Sequence, residues 1–251
     1  MAEFSPSELM VVCASRGFKD GTSALVGIGL PYVAGVLAKM THAPNLTIIM
    51  ELGVFGSHPV DNAVGIADPR AWYMAKKFGG FLDTMGMILH RGRCDAGLLG
   101  TLCIDAYGNI NSTAVLINGK RKHITGSGGG NDIASRARNI MVITRHEKRK
   151  LEEASYFITS PGNLQGGNSR EEAGLIGNGL TLVITDKAVL EPHPETKRLR
   201  LQSIHPGVSP EEIVSETGFE VNVEGVPLTP PPTREQIRLI HEVIDPNRLY
   251  T

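Results

Sequence analysis

What this chain lacks narrows its function first. Nowhere do about 18 apolar residues run together, the length a helix needs to cross a bilayer, so no membrane span is expected. Met1-Ala2-Glu3-Phe4-Ser5-Pro6 has no basic start followed by an apolar core, so no signal peptide is expected either. Cysteine is scarce: Cys13, Cys94 and Cys103 stand singly among apolar neighbours, with no CxxC pair. An odd, scattered set suits reduced thiols in the cytoplasm that fill a core. Neither sign of charge dominates. A formal net charge of -1 gives no footprint for nucleic acid, and an acidic metabolite would need a local basic site.

Familiar chemical motifs are missing too. The eight histidines show neither HxxxH nor mixed Cys-His spacing, and Asp61 and Asp68 lack calcium-loop spacing, so no metal is expected. There is no GxxxxGK[ST] phosphate loop. Gly27-Ile28-Gly29-Leu30-Pro31 departs from the dinucleotide fingerprint where Pro31 and Tyr32 stand. Gly126-Ser127-Gly128 is not the GxSxG elbow of a serine hydrolase. With no internal repeat and no linker, residues 1–251 read as a single domain.

What is abundant is glycine, 29 of 251 residues, which permits many tight turns or close backbone approaches. Ser5-Pro6-Ser7-Glu8 starts a helix with a capping box that ends near Gly17. Residues 22–26 and 46–50 read as strands around a helix over 32–40, a parallel β-α-β unit. Gly53 to Asp68 reads as a long loop and Pro69–Phe78 as a helix stopped by Gly79-Gly80. Further strands are expected at 95–99, 113–117, 139–143, 180–185 and, alternating, 198–204. Turn chemistry fills 105–111, Ser209 and Pro210 start a short helix, and a last helix begins near Thr233 with Gln236 completing its capping box.

The most informative residue is Glu51, an acid at the end of the oily run Leu46-Thr47-Ile48-Ile49-Met50. A carboxylate there is expensive to desolvate unless it is paired, hydrogen-bonded or used chemically. Strand ends of α/β proteins are also where ligands and catalytic groups gather. The plainer alternative is a solvated turn residue. Leu52, Gly53 and His58-Pro59 follow and can line a pocket beside it, although a lone loop histidine is commonly surface structure.

Three glycine features can join such a site. Gly27 and Gly29, between strand and helix, can offer backbone N–H groups to an anion or carbonyl oxygen. Gly128, Gly129, Gly130 and Asn131 can wrap a pyrophosphate or thioester, or form a mobile surface loop. Thr159-Ser160-Pro161-Gly162-Asn163 with Gly166-Gly167 is a further loop, with structure its simpler role. Lys76, Lys77, Arg91 and Arg93 can meet a dicarboxylate or coenzyme phosphates, or be surface charges, as the charged run Arg145–Lys150 also reads.

Taken in order, Val26–Pro31, Ile48–Gly53, Asp105–Thr113, Thr125–Asn131, His146–Arg149, Thr159–Gly162, Val183–Lys187, Thr217–Phe219 and Ile244–Pro246 closely resemble the family I CoA-transferases, in the β subunit of their glutaconate CoA-transferase kind. The resemblance covers nearly the whole chain. It implies an α/β fold with an open, mostly parallel sheet and flanking helices, and a distinct α subunit in an α2β2 or larger assembly. It also implies coenzyme A as co-substrate, with Glu51 as nucleophile. Glu51 would take the acyl group from a thioester as a mixed anhydride and then hold CoA as a glutamyl-CoA thioester, which an acceptor carboxylate reverses. Gly27, Gly29, Gly128, Gly129 and Gly130 would supply oxyanion donors or close CoA approach, and Asn131 would orient its loop. Leu52 stands where the glutaconate enzyme has a small residue, which implies a different pocket shape. Acyl-CoA hydrolases and decarboxylases share the scaffold and commonly lack the glutamate, so its presence favours transfer. A noncatalytic subunit is the remaining alternative.

Overall fold

In this computed structural model, which describes residues 4–57, 65 and 67–251, the chain gathers into two units. One is Met1–Gly100 with Pro230–Thr251; the other is Thr101–Thr229.

The first unit opens as its cap dictates. Ser5 Oγ accepts from the Glu8 N–H at 3.1 Å and the Glu8 carboxylate accepts from the Ser5 N–H at 2.7 Å, so α1 (Pro6–Arg16) starts with its end groups satisfied. β1 (Ser23–Val26), α2 (Leu30–Met40) and β2 (Thr47–Met50) follow, and β1 and β2 pair in parallel with Ser23 opposite Thr47 and Leu25 opposite Ile49. Their three inner residues are buried in each strand, as parallel strands covered by helices require. α1 packs on α2. The buried Leu9, Val11, Val12, Val33, Val36 and Leu37 stabilise this layer by about 1.5–3 kcal/mol per fully buried side chain.

Beyond β2 two short strands lie at the ends of the segments read as loop and helix. β3 (Val54–Phe55) runs antiparallel to β2, and β4 (Lys77–Phe78) runs antiparallel to β3. Asp68 and Pro69 do start a helical turn, since Asp68 Oδ1 accepts from the Arg70 N–H at 3.0 Å, but it is one short 3-10 turn, Pro69–Trp72. Met74 then adopts a φ of 50°, and the N–H groups of Lys76 and Gly79 donate to Phe55 O and Gly53 O at 2.9 and 2.7 Å. Sheet hydrogen bonds override the local helical preference of Trp72–Lys77. A wide-turned helical segment, Leu82–Leu89, leads to β5 (Ala96–Gly100), parallel to β1. The strand order is β5-β1-β2-β3-β4. The C-terminal helix Arg234–Leu239 has the expected Thr233–Gln236 capping box, and His241 beyond it contacts the Glu8 carboxylate.

In the second unit β6 (Cys103–Asp105) and β7 (Ile110–Asn111) form a hairpin, and β8 (Ala114–Ile117) pairs with β9 (Lys120–His123) in another. α3 (Gly130–Arg136), β10 (Asn139–Ile143), β11 (Leu151–Glu152), α4 (Ser169–Glu172), β12 (Leu180–Ile184), β13 (Ala188–Pro192), β14 (Leu199–Ile204) and α5 (Pro210–Glu216) follow. β10 and β12 are parallel; β12-β13-β14 continue antiparallel. The fold is therefore α/β, parallel at β5-β1-β2 and β10-β12 and antiparallel outward, with flanking helices. Among the described residues no helix is long and apolar enough to cross a membrane.

Candidate active site

Glu51 opens the three-residue loop Glu51-Leu52-Gly53 that joins β2 to β3, closed by the Gly53 N–H donating to Met50 O at 3.0 Å. Gly53 has a φ of 102°. A methyl group built there would lie 2.4 Å from Gly79 O and 2.9 Å from Gly80 N. Glycine is thus required at 53 on two counts, conformation and space. Leu52 is 38% exposed, and Glu51 is half-buried. Among the described residues none hydrogen-bonds to or ion-pairs with the Glu51 carboxylate. The sequence allowed it to be paired, bonded or used; the first two do not apply among those residues.

Gly27 follows β1 as Glu51 follows β2. Carrying the register of Leu25 and Ile49 two residues on sets Gly27 beside Glu51 at the carboxyl ends of adjacent parallel strands. The Gly27 N–H donates to Leu98 O at 3.3 Å and so belongs to the sheet. The N–H groups of Ile28 and Gly29 have no acceptor among the described residues. Gly29, with a φ of 89°, precedes α2, and the hydroxyl of Tyr32, buried in the first turn of that helix, has no hydrogen-bond partner among the described residues. Burial, aided by the Asp68 charge, pushes the Tyr32 pKa up.

The end of the chain also reaches this loop. Asp245 is fully buried, and its carboxylate accepts from the N–H groups of Leu249, Tyr250 and Thr251 at 2.8, 2.9 and 2.8 Å and from Thr251 Oγ1 at 2.9 Å. Burial raises its pKa, but the donors from Tyr250, Leu249 and Thr251 outweigh that and hold it below the usual range. The anchored tail sets the Tyr250 ring against Gly29: a methyl group built on Gly29 would lie 3.7 Å from Cδ1 and 3.8 Å from Cε1. Neither Tyr32 nor Tyr250 was reachable from sequence spacing. The signal for the second was Ile244-Asp245-Pro246, whose acid needs a reason to be buried.

In the second unit Gly126 and Gly128 take φ values of 103° and 50°, and Gly129 precedes α3. The Gly130 N–H donates to Ser127 O at 2.9 Å; those of Gly128 and Gly129 have no acceptor among the described residues. The Asn131 amide donates to Thr159 O at 2.7 Å and ties the run to the Thr159–Asn163 segment. That segment is itself structural. Asn109 Oδ1 accepts from the N–H groups of Gly162 and Leu164, both at 3.0 Å, and its amide donates to the buried Asp105 carboxylate at 3.0 and 3.1 Å. A methyl group on Gly108 or Gly162 would collide with Leu180 or with Gly108 O.

Other candidates separate cleanly. His146, read within a charged surface run, is buried between the hydroxyls of Thr185 and Thr217, 2.9 Å from each, and burial lowers its pKa to about 4. Lys76, Lys77, Arg91 and Arg93 are exposed. Cys13, Cys94 and Cys103 are free thiols in the core, and burial pushes Cys13 and Cys94 up to about 11, far from thiolate chemistry. His58 lies outside the described residues.

Comparison with known proteins supplies the class. A family model described as Coenzyme A transferase matches residues 8–216. The β-type subunit of the 3-oxoadipate CoA-transferase of Pseudomonas knackmussii is 34% identical over 242 residues, 96% of this chain and 93% of that one. The β-type subunit of the glutaconate CoA-transferase of Acidaminococcus fermentans is 34% identical over 257 residues, 98% and 95%. The crystal structure of that organism's glutaconate coenzyme A-transferase superposes with a TM-score of 0.91, covering 99% of this chain and 97% of the solved one. The chain belongs to the coenzyme A transferase family, and within it to the kind of subunit that these two relatives represent. The decarboxylase AibA/AibB, 23% identical with a TM-score of 0.83, shares the fold.

Proposed function

We propose that this chain is the β subunit of a heteromeric CoA-transferase that moves CoA between an acyl-CoA and a carboxylic acid through a glutamyl-CoA thioester on Glu51. The observation that carries this reading is the state of Glu51: half-buried at the carboxyl end of a parallel strand, beside the Gly27–Gly29 loop, with no partner among the described residues. A carboxylate held out of salt bridges keeps its lone pairs for attack.

The Glu51 oxygen adds to the thioester carbonyl, the C–S bond breaks, and CoA leaves as thiolate. The thiolate then adds to the Glu51 carbonyl of the anhydride, releasing the first acid as its carboxylate. An acceptor carboxylate repeats the two steps in reverse and regenerates Glu51. A carboxylate nucleophile suits this exchange because the anhydride keeps the acyl group activated, whereas a serine ester would not. Oxyanion stabilisation is needed at each addition. In the first unit the open N–H groups of Ile28 and Gly29 suit that role. In the second, those of Gly128 and Gly129, with Asn131 fixing the loop, suit contact with the acyl-CoA. Leu52 and Gly53, next to Glu51 in the loop, suit the pocket around the nucleophile.

The partner is a distinct α subunit, in an α2β2 or larger assembly, coenzyme A is the co-substrate, and the setting is the cytoplasm, where unpaired thiols stay reduced. Co-expressed with its partner, Glu51→Ala should assemble normally yet lose exchange between a panel of acyl-CoAs and acetate, glutaconate or 3-oxoadipate. It should also lose the mass adduct of CoA on this chain. Full exchange by Glu51→Ala overturns the assignment. Release of free CoA or carbon dioxide by the wild type without any acceptor would favour hydrolase or decarboxylase chemistry on the same scaffold.

A further inference from the structure

Residues 249–251 are anchored to a buried carboxylate. Asp245 has no exposed surface, and three successive backbone N–H groups and a hydroxyl converge on its carboxylate. Such a nest of donors fixes the segment that carries it. Arg248, at a φ of 51°, makes the turn, and its N–H donates to Asp245 O at 2.9 Å. Leu249, next in line, is left 52% exposed. The latch therefore spends a buried carboxylate without burying the adjacent apolar side chain. What it does place is the Tyr250 ring, about one methyl group away from Gly29: a methyl carbon built there would lie 3.7 Å from Cδ1 and 3.8 Å from Cε1. Gly29 is the left-handed residue of the loop whose neighbour Gly27 follows β1 as Glu51 follows β2.

A mixed anhydride and a glutamyl thioester are both open to water, and transfer outruns hydrolysis only where water is kept away. An aromatic ring beside a glycine loop can shield backbone that has no side chain of its own. We propose that Tyr250, latched by Asp245, is a positioning residue that covers the Gly29 loop and sets the partition between transfer to an acceptor acid and hydrolysis. In the hydrolytic branch water adds to the glutamyl-CoA carbonyl, the C–S bond breaks, CoA leaves as the thiol, and Glu51 is regenerated as the carboxylate. This rests on Glu51 being the nucleophile.

The test uses the assembled enzyme with the partner subunit. One acyl-CoA is incubated with saturating acceptor, and new thioester and free CoA are measured in the same samples. Tyr250→Ala should raise the ratio of hydrolysis to transfer roughly tenfold, with assembly and Tm unchanged; Tyr250→Phe, which keeps the ring, should restore the wild-type ratio. Asp245→Asn, whose amide N–H would face the Leu249 N–H where Oδ1 now accepts, should raise the ratio as Tyr250→Ala does; should that variant fail to fold, Tyr250→Ala and Tyr250→Phe decide the test. A wild-type ratio in Tyr250→Ala overturns the proposal, as does an equal fall in both branches, which would mark a merely structural side chain. Glu51→Ala, run in parallel, separates the two ideas. If it keeps exchange, the nucleophile assignment fails. If it is inactive while Tyr250→Ala keeps the wild-type ratio, only the role of the tail fails.

Discussion

Substituting Gly53 by alanine tests how tightly the fold holds the Glu51 loop. Two independent penalties act there. A left-handed residue with a side chain costs about 1–3 kcal/mol, and Gly53 has a φ of 102°. The methyl carbon would also lie 2.4 Å from Gly79 O and 2.5 Å from Gly79 C, about 1 Å inside an ordinary contact. Both obstacles are backbone atoms, and the same Gly79 is bound by its N–H to Gly53 O at 2.7 Å, so neither strand can give way without losing that bond. Forced shifts of this kind cost about 1–3 kcal/mol more. Gly53→Ala should therefore destabilise the chain by about 3 kcal/mol or more, a fall in Tm of roughly 6–12 °C at this size. Because the loop is only three residues long, Glu51 must move with it, and exchange activity should fall at least tenfold even well below the new Tm. Gly27→Ala is the matched control. Its methyl group would meet Leu98 O and the Pro31 ring no closer than 3.8 Å, so its stability should stay within about 0.5 kcal/mol. Thermal unfolding of both variants, with activity measured at 25 °C, decides the matter. A Gly53→Ala protein with wild-type Tm and rate would refute the account of this loop.

Other outcomes follow from single contacts. His146 has a pKa of about 4 against an ordinary 6.5; because the folded value is depressed, the stability linked to its neutral form is complete above about 6.5 and is lost as pH falls toward 4, a difference of roughly 3 kcal/mol. Urea unfolding between pH 7 and 4 should show that loss, and His146→Gln should flatten it; an unchanged pH slope in that variant would place the titration elsewhere. Asn109→Ala strips acceptors from the N–H groups of Gly162 and Leu164 and donors from the buried Asp105 carboxylate. At about 1–3 kcal/mol per buried group left unpaired, it should lower the urea midpoint sharply, and a loss below about 1 kcal/mol would mean that water replaces those bonds.

The sequence was most legible where local chemistry decides structure. The Ser5–Glu8 and Thr233–Gln236 boxes, the Gly17 stop, and the strands 139–143 and 180–184 needed only capping and hydrophobic pattern. It was least legible between Gly53 and Leu89. There β3 and β4 are two residues each and take their hydrogen bonds from each other and from β2, so no local pattern of 69–78 could outweigh its apparent helical bias. His146 misled for a related reason: its neighbours Arg145 and Glu147 carry charge, but its ring, three residues beyond β10, sits between the hydroxyls of Thr185 and Thr217. Tyr250 was silent because the acid that positions it lies five residues back, in a turn made by a non-glycine residue at positive φ.

The motif residues then divide by whether packing accounts for them. Gly108, Gly162, Asp105, Asn109 and His146 are explained once their neighbours are known, since each fills a space or satisfies a buried partner. Selection for folding alone would keep them. Glu51 and the N–H groups of Ile28, Gly29, Gly128 and Gly129 are different: among the described residues they satisfy nothing and are satisfied by nothing. A half-buried carboxylate without a partner gains the fold no hydrogen bond to offset its partial desolvation, and the backbone donors beside it, partly open to solvent, are left free for a ligand. Local rules broken without structural compensation mark the places where a sequence answers to something other than its own stability. On that physical ground the nucleophile is sought at Glu51 and not among the many acids that the fold already uses.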